Sequence, residues 1–545
     1  MDVSDETAKF EIRSWERQRD YRVNFDSMYE EIARYCLPRA QEFTSRQSPG
    51  TRKEQYVFDS TAQLAVPACA AAIESLLVPR TQKWHGLRPL SAALQDDDEV
   101  MRYLEEKRDM MFRVRYSRAA NFTGQVGEAL VSLVAFGTMG LFIEDGLSKG
   151  ILYQHVPLNQ LYIEEDAWGR VDTIRRKYPM TVRQAVQKFG AKNLPEIITK
   201  HSDTDPFREF NFLHVVRPNE EVATGDRSFR GMKYAAFDIC LEGKCTIRRG
   251  GYRTMPYAVS RYTVSGSEVY GRSVAWDAFA DIKTVNAMSK TGLRYGELVT
   301  DPPWATADVD ALSPFSMRPG SINPGYINER GQVLAQSLAP QGDPRVGLEM
   351  MEQRRESINR SFLITLFQIL VETPRMTATE ALLRAQEKGA LLAPTIGRQQ
   401  SEFLDPLITR ELDILEMSGM FDDMPEALAE EGGVLEVVYD SPLTRAQQAE
   451  EGVGIMRTLE AAGLMAQYDE GESIRTIDAP WTLRKLAQIN GAPVRMMRAQ
   501  EEIDAEKAQA AQEAQLQRLL AASEQGANTA QTLATANEKM AAAPF

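Results

Sequence analysis

SVAWDAFADIKTVNAMSKTGLRYGELVT, residues 273–300, decides how the rest of the chain is read. Ser273 offers an N-cap, and Ala275, Ala278, Phe279, Ile282, Val285 and Leu293 recur at helical spacing, so the stretch predicts one long amphipathic helix. Asp301-Pro302-Pro303 ends it, because neither proline donates a backbone hydrogen bond and each disfavours helix in the residue before it. Asp343-Pro344 restarts a helix as N-cap and first helical residue. The run RVGLEMMEQRRESINRSFLITLFQIL, residues 345–370, then carries Met351, Ile358, Phe362, Thr365, Leu366 and Ile369 as its apolar side. After Glu372-Thr373-Pro374-Arg375-Met376, the residues Thr377-Ala378-Thr379-Glu380 have the form of a capping box and begin a third helix.

Working outward, the first rod has 28 residues and a length of about 42 Å. Two such rods joined by turn-rich chain form an arm that cannot bury its own faces. Lys283, Lys290 and Arg294 cluster on one side of the first rod, with Asp277 and Asp281 on another. Two readings stay open: solvated flanks of an ordinary bundle helix, or a head-to-tail contact with a copy of the same chain, the geometry that closes rings. Gly292 and Gly296 each cost a helix about 1 kcal/mol, which points to close approach of another backbone. Between the rods, Pro314, Pro319, Pro324, Gly320, Gly325 and Gly331 make a stiff, irregular segment. Its aromatics Trp304, Phe315 and Tyr326 are either docking anchors or internal packing.

Upstream, residues 5–37 predict a helix with Trp15, Tyr21, Phe25, Met28, Ile32 and Tyr35 inward. A second helix follows Asp59 or Ser60 as cap, with Ala62, Ala65, Ala68 and Ala72 as a small-residue face and Trp84 plugging its end. Helices over 96–116 and 121–136 precede a glycine-bounded turn, GTMG. The period then changes to two. LFIEDG, ILYQHVPL, QLYIEED, VDTIRRKYP, NFLHVVRPN, MKYAAFDICLE and CTIRRGGYR read as strands of a small antiparallel sheet domain over 140–262, interrupted by a helix that Thr181 and Gln184 start and Gly190 ends. Residues 378–418 read as helical with breaks near Pro394 and Pro406; VLEVVYD is a strand, and helical hairpins follow. The tail from Pro493 is rich in Ala, Gln and Glu with sparse leucines, a composition that is either disordered or a helix in need of neighbours.

The 545 residues exceed one core, so several domain-sized units are expected. A hydrophobic content of 43% with 26% charged residues suits a soluble globular chain. No apolar run reaches membrane-spanning length, no membrane contact is expected, and the charged N-terminus is not a signal peptide. Cys36, Cys69, Cys240 and Cys245 include one C-x4-C without a matching half, which suits buried thiols better than zinc or a disulfide framework. The net charge of −14 excludes a protein that grips nucleic acid over its surface, yet allows one that lets it slide past an acidic wall.

No catalytic constellation emerges and no cofactor is expected. Gly243-Lys244-Cys245 lacks the phosphate loop and hydroxyl of an ATPase, and His85, His155, His201 and His214 show no metal-ligand spacing. Glu164-Glu165-Asp166 and Asp422-Asp423 leave a metal-dependent nuclease or other hydrolase as an alternative, and a helical scaffold or adaptor is another.

Asp59-Ser60-Thr61-Ala62, then GTMGLFIEDG, then PLNQLYIEEDAWGRVDTIRRKYPMTVRQAVQKFG carry a family resemblance. So do MPYAVSRYTVSGSEVYGRSVAWDAFADIKTVNAMSK, RMTATEALLRAQEKGALLAP and EFLDPLITREL. In this order the sequence resembles the portal, or head-to-tail connector, proteins of T7-like short-tailed bacteriophages. The resemblance implies a predominantly helical α+β portal fold and no enzymatic activity. It divides the chain into a wing (1–272), first stem helix (273–300), clip (301–343), second stem helix (344–371), tunnel loop (372–376), wing and tunnel-proximal helices (377–430), and crown and barrel (431–545). It implies a ring of about twelve copies at one capsid vertex. The implied partners are passing double-stranded DNA, the terminase large subunit, tail adaptor and tail proteins, and major capsid and scaffolding proteins. The implied location is the virion, with assembly in the host cytoplasm. Glu372, Thr373, Pro374, Arg375 and Met376 would then project into the channel. Lys283, Lys290 and Arg294 would face the lumen or meet Asp277 and Asp281 of a neighbouring copy.

Overall fold

A computed structural model of the chain describes residues 3–80, 82–146, 150–220, 222–223, 226, 228–306, 322, 327, 330–333, 335–338, 345–364, 395–439, 442–466, 476–489 and a few positions between 496 and 515. It divides into two compact units, Met1–Trp84 with Met111–Met420, and His85–Met110 with Phe421–Phe545. In chain order the helices are α1 Val3–Cys36, α2 Thr61–Leu77, α3 Asp98–Arg115, α4 Phe122–Phe136, α5 Val182–Phe189, α6 Glu196–Thr199, α7 Val274–Asp277, α8 Phe279–Thr300, α9 Arg345–Ser361, α10 Asp405–Met417, α11 Glu426–Glu430, α12 Pro442–Met465 and α13 Ala479–Ile489. The strands are β1 His85–Pro89, β2 Thr138–Asp145, β3 Ile151–Val156, β4 Leu161–Glu165, β5 Val171–Thr181, β6 Glu209–Pro218, β7 Tyr234–Cys240, β8 Cys245–Tyr252, β9 Tyr257–Arg261, β10 Trp304–Thr306, β11 Ala335–Ser337 and β12 Leu435–Tyr439.

In the first unit, residues that α1 buries recur three, four or seven apart: Ala8, Glu11, Trp15, Gln18, Arg22, Tyr29, Ile32 and Cys36. Two of these inward positions hold charge, so an apolar-only template misses the phase: Tyr21, expected inside, is 47% exposed because Arg22 takes the inward place. The Arg22 guanidinium donates to the carbonyls of Leu158 (2.9 Å) and Asn159 (3.2 Å), and pairs with Asp26 at 2.8 Å. It also lies 4.0 Å from the Tyr162 ring centroid. Glu11 is likewise buried between Arg175 and Arg217, each at 3.0 Å. On α2 the buried face is Ala62, Ala65, Val66, Cys69, Ala70, Ile73 and Leu77; Ala68 faces solvent.

The region expected as one sheet holds two. A three-stranded antiparallel sheet has the order β3-β2-β9, and a five-stranded antiparallel meander runs β4 to β8. The expected GTMG turn shrinks to Gly137, which ends α4 at φ +83°, and Thr138 already begins β2. A Cβ on Gly137 would stand 2.5 Å from the Gly271 carbonyl oxygen, so only glycine fits. Thr181 and Gln184 form the expected capping box of α5, whose Val182, Ala185 and Phe189 pack on Tyr178, Phe210 and Phe212 of the meander. At Pro406 no break occurs. A π-helical turn, Gln400–Leu404, absorbs the missing N–H, and the proline sits in the first turn of α10.

A buried ion pair joins α3 to α10. The Arg115 guanidinium meets Glu411 at 3.0 Å, Tyr153 donates to the same carboxylate at 2.6 Å, and Trp84 and Phe112 rings lie within 4.5 and 4.8 Å of the guanidinium. Trp84, 2% exposed, donates to the Tyr116 hydroxyl at 3.2 Å.

In the second unit, β1 pairs antiparallel with β12, from His85 opposite Tyr439 to Pro89 opposite Leu435. The HGLRP strand was not anticipated, since its period-two pattern is only five residues long. The helices α12 and α13 pack together, with Lys485 3.3 Å from Glu451. The expected features of the tail beyond residue 515 lie outside the described residues.

Candidate assembly surface

Ser273 fixes where the helix pair leaves the body. Its Oγ accepts from the Trp276 N–H at 2.9 Å and donates to the Ala135 carbonyl at 2.9 Å, capping α7 while anchoring it to α4. Ala278, at φ −82° and ψ 0°, separates α7 from α8, so the expected single rod is a turn followed by a 22-residue helix. Helix α9 runs back antiparallel, because Asp281 meets Ser357 and Ser289 meets Met351.

Three polar side chains knit the near end of this pair. The Asn286 amide accepts from the N–H of Phe58 (2.7 Å) and Asp59 (3.2 Å) and donates to the Tyr56 carbonyl (3.0 Å). Asp59 accepts from the Thr61 N–H (3.0 Å) and from Arg355 (2.8 and 3.0 Å). Burial alone would raise the Asp59 carboxyl; the hydrogen bonds from Thr61 and Arg355 outweigh it and hold the group below its usual range. Asp59 therefore joins α2 to α9, a role beyond the helix cap its position suggests. Asn286 and Arg355 went unread because their partners lie more than 200 residues away in sequence.

The far end is different in kind. Phe279, Ile282, Val285 and Ser289 of α8 are buried, but Leu293, Leu298 and Val299 are 57%, 43% and 48% exposed. On α9, Met351 and Ile358 are buried while Val346, Leu348 and Met350 are 62%, 56% and 50% exposed. Among the described residues nothing approaches Gly292 or Gly296: a Cβ on either would meet no atom of theirs within 4 Å. Helix α9 also ends earlier than its sequence predicts. Leu363 adopts φ +58° just after Ser361, a conformation that costs a leucine about 1–2 kcal/mol. The turn carries Phe362 to full burial, which offsets that strain.

The expected charge cluster disperses within the chain. Lys283 pairs with Glu31 at 3.0 Å, both groups nearly half exposed. Asp281 accepts from Arg354 at 2.7 Å and from Ser357 at 2.9 Å. The Lys290 ammonium lies 5.2 Å from the Phe58 ring centroid, Arg294 is exposed, and burial raises the Asp277 carboxyl although Arg272 counteracts it. Trp304 opens the short β10–β11 ladder and is 41% exposed. Phe315, Tyr326 and Glu372, Thr373, Pro374, Arg375 and Met376 lie outside the described residues.

Of the two acidic loops that suggested a metal, Asp422 and Asp423 are exposed and the other is engaged in pairing. Glu164 pairs with Arg175 at 3.0 Å, Glu165 with Arg261, and Asp166 accepts from the N–H groups of Trp168 and Arg170. Among the described residues no group of His, Cys, Asp and Glu has metal-site spacing, and no helix is long and apolar enough to cross a membrane.

Among the described residues, then, an antiparallel helix pair is rooted in a mixed α/β body and its outer half carries exposed apolar side chains, the kind of patch that marks an interaction surface. A family model described as "Bacteriophage head to tail connecting protein" matches residues 11–497, and the chain belongs to that family. Its role is accordingly structural, that of a portal or connector, and not enzymatic. The chain is 24% identical over 525 residues to the portal protein of Salmonella phage epsilon15, covering 94% of this chain and 93% of that one. It is also 24% identical over 457 residues to the probable portal protein of Bordetella phage BPP-1, covering 81% and 80%. Solved structures of the virion of a gene transfer agent particle and of the neck of the empty particle match with 12% and 10% identity. They cover 79% and 75% of this chain and 95% and 91% of theirs, with TM-scores of 0.35 and 0.34, too low to define a shared overall arrangement.

Proposed function

We propose that the chain assembles into a ring of about twelve copies at one capsid vertex and forms the channel through which double-stranded phage DNA is packaged, retained and ejected. The observation that carries this reading is the family match over residues 11–497, with relatives named as portal proteins aligned over nearly the whole length. The outer half of the α8–α9 pair supports it, since six apolar side chains there stand exposed among the described residues. So does the net charge of −14 per copy: a strongly acidic ring repels phosphate and prevents the salt-sensitive grip that would stall sliding.

In this reading the helix pair is the stem. Residues 301–343 form a clip that docks the terminase large subunit and later the tail adaptor, with Trp304, Phe315 and Tyr326 as anchors. Residues 372–376 reach into the channel. Lys283, Lys290 and Arg294 either face the lumen or meet acidic groups of the next copy, and Gly292 and Gly296 leave room for the neighbour's backbone. Major capsid and scaffolding proteins surround the ring in the virion, at the head–tail junction, after assembly in the host cytoplasm.

Mass photometry and negative-stain imaging of the purified chain test the assembly. The expected result is a discrete particle whose mass is a multiple of 61.2 kDa, with a central hole. A monodisperse monomer at micromolar concentration overturns the reading. Deleting residues 372–376 should leave that ring intact and impair DNA packaging or retention in assembled particles; unchanged packaging removes the loop from the mechanism.

A further inference from the structure

The C-x4-C of the sequence, unused by the portal role, falls at the end of the β7–β8 hairpin. Cys240 and Cys245 are the last pair of that ladder, directly opposite each other across the loop of residues 241–244. Directly opposed residues of an antiparallel pair point to the same face with Cβ atoms about 4.5–5.5 Å apart, close to what a disulfide spans. Both side chains pack on one apolar cluster, with Phe189, Leu194 and Phe212. Both sulfurs lie over the turn: a Cβ on Gly243 would stand 3.2 Å from the Cys245 sulfur and 3.5 Å from the Cys240 sulfur. Lys244, at φ +46°, makes the bend tight.

We infer that Cys240 and Cys245 form a reversible disulfide, closed by a small-molecule disulfide in the medium, that staples the tip of the five-stranded meander. The inference stands on the hairpin geometry and not on the portal reading. Cys240 is fully buried and Cys245 partly exposed, which sets the order of events. Cys245 loses its proton, and its thiolate attacks one sulfur of the incoming disulfide, breaking that S–S bond and releasing one thiolate. Cys240 then attacks the Cys245 sulfur and expels the second. Burial pushes the Cys240 thiol up to about 11, so it reacts only as a resolving group, with a sulfur already at hand. Its S–H points to the Glu242 carboxylate at 3.9 Å, which receives the proton, while the Gly243 N–H donates to its sulfur at 3.3 Å. Two protein thiols are oxidised, one small disulfide is reduced to two thiols, and the two protons cap the leaving thiolates.

The test treats the native full-length protein with oxidised glutathione, quenches it with an alkylating agent and digests it with trypsin. The expected product is peptide 234–244 joined to peptide 245–248, lighter by two hydrogens than the separate pair and split by a reductant. It should exceed glutathionylated Cys245 by at least about tenfold, because the second step is intramolecular. In Cys240→Ser the glutathione adduct on Cys245 should accumulate instead. Alkylated thiols at both positions, a stable glutathione adduct on Cys245 of the unsubstituted protein, or linkage to Cys36 or Cys69 overturns the inference.

Discussion

The body and the outer half of the helix pair invert the usual division of residues. The first unit buries full charges, with Arg22, Glu11, Arg115, Arg175 and Glu411 all nearly inaccessible, and each has its partners inside the same chain. The helix pair leaves Leu293, Leu298, Val299, Val346, Leu348 and Met350 exposed among the described residues. A buried charge is tolerable only when an opposite charge or a hydrogen-bond partner offsets its desolvation, and each of these has an oppositely charged group within one copy. Exposed aliphatic side chains clustered on one projection are tolerable when a partner covers them. The contrast separates a part whose charges are matched within one copy from a part whose apolar side chains stand exposed among the described residues.

The strongest break of this contrast is Leu293→Asp combined with Leu298→Asp. The assembled species should vanish, leaving a particle of 61.2 kDa by mass photometry. Stability of the isolated chain should change by no more than about 0.5 kcal/mol, since both positions are solvent-exposed. A ring of unchanged yield would show that the apolar tip is not an interface.

Glu411→Ala tests the body. It strands the Arg115 guanidinium in a closed pocket and removes the acceptor of the Tyr153 hydroxyl. The expected loss is about 3–5 kcal/mol in urea-induced unfolding. A loss below about 1 kcal/mol would mean that the pocket admits water.

Acid should act on the body in the same direction. Burial pushes both His155 and His214 down to about 4; His155 bonds to Ser132 and His214 to Tyr257. An unfolded histidine titrates near 6.5, so between pH 6.5 and 4 the unfolded chain binds protons that the folded chain refuses. Stability is therefore fully present above about pH 6.5 and falls as pH drops through that window, by about 2–4 kcal/mol for each histidine. His214→Gln should remove its share of the slope, measured as urea midpoints at pH 7 and pH 5.

Asn286→Ala sits at the seam between the two regions. It leaves the N–H groups of Phe58 and Asp59 and the Tyr56 carbonyl without their partner, a cost of about 1–3 kcal/mol. The variant should still assemble, though from a chain whose helix pair is less firmly seated.

What could be read from residues alone follows the reach of the interactions. The capping box at Thr181, the N-cap at Ser273 and the strands of the meander are signalled within a few residues, and the structure has them. The phase of α1 was missed because Arg22 and Glu11 look like surface residues until their partners, more than 130 positions away, are in place. Asp59 looked like a cap for the same reason, its Arg355 partner being 296 residues distant. Of the candidate site, the helix pair was legible in the apolar spacing of its two stretches, whereas the exposure of Leu293, counted in that apolar face, was not. The pairing of its charges was not, because periodicity gives the side of a helix but not what stands opposite.

Those charges set the smallest and sharpest test. Arg354 holds Asp281 at 2.7 Å on the surface of the pair, with the arginine about half exposed. Exposed pairs contribute about 0–1 kcal/mol, so Arg354→Ala should leave the unfolding midpoint of the chain nearly unchanged. Its effect on assembly decides between two roles for Asp281. If the carboxylate only braces α8 against α9, ring yield stays as it was at every salt concentration. If Asp281 also meets a cation of the neighbouring copy, releasing it from Arg354 strengthens that contact. Assembly then becomes more favourable at low ionic strength, and the gain is lost at about 1 M salt, where screening acts within a few ångströms. Asp281→Asn should weaken assembly in the second case and do nothing in the first.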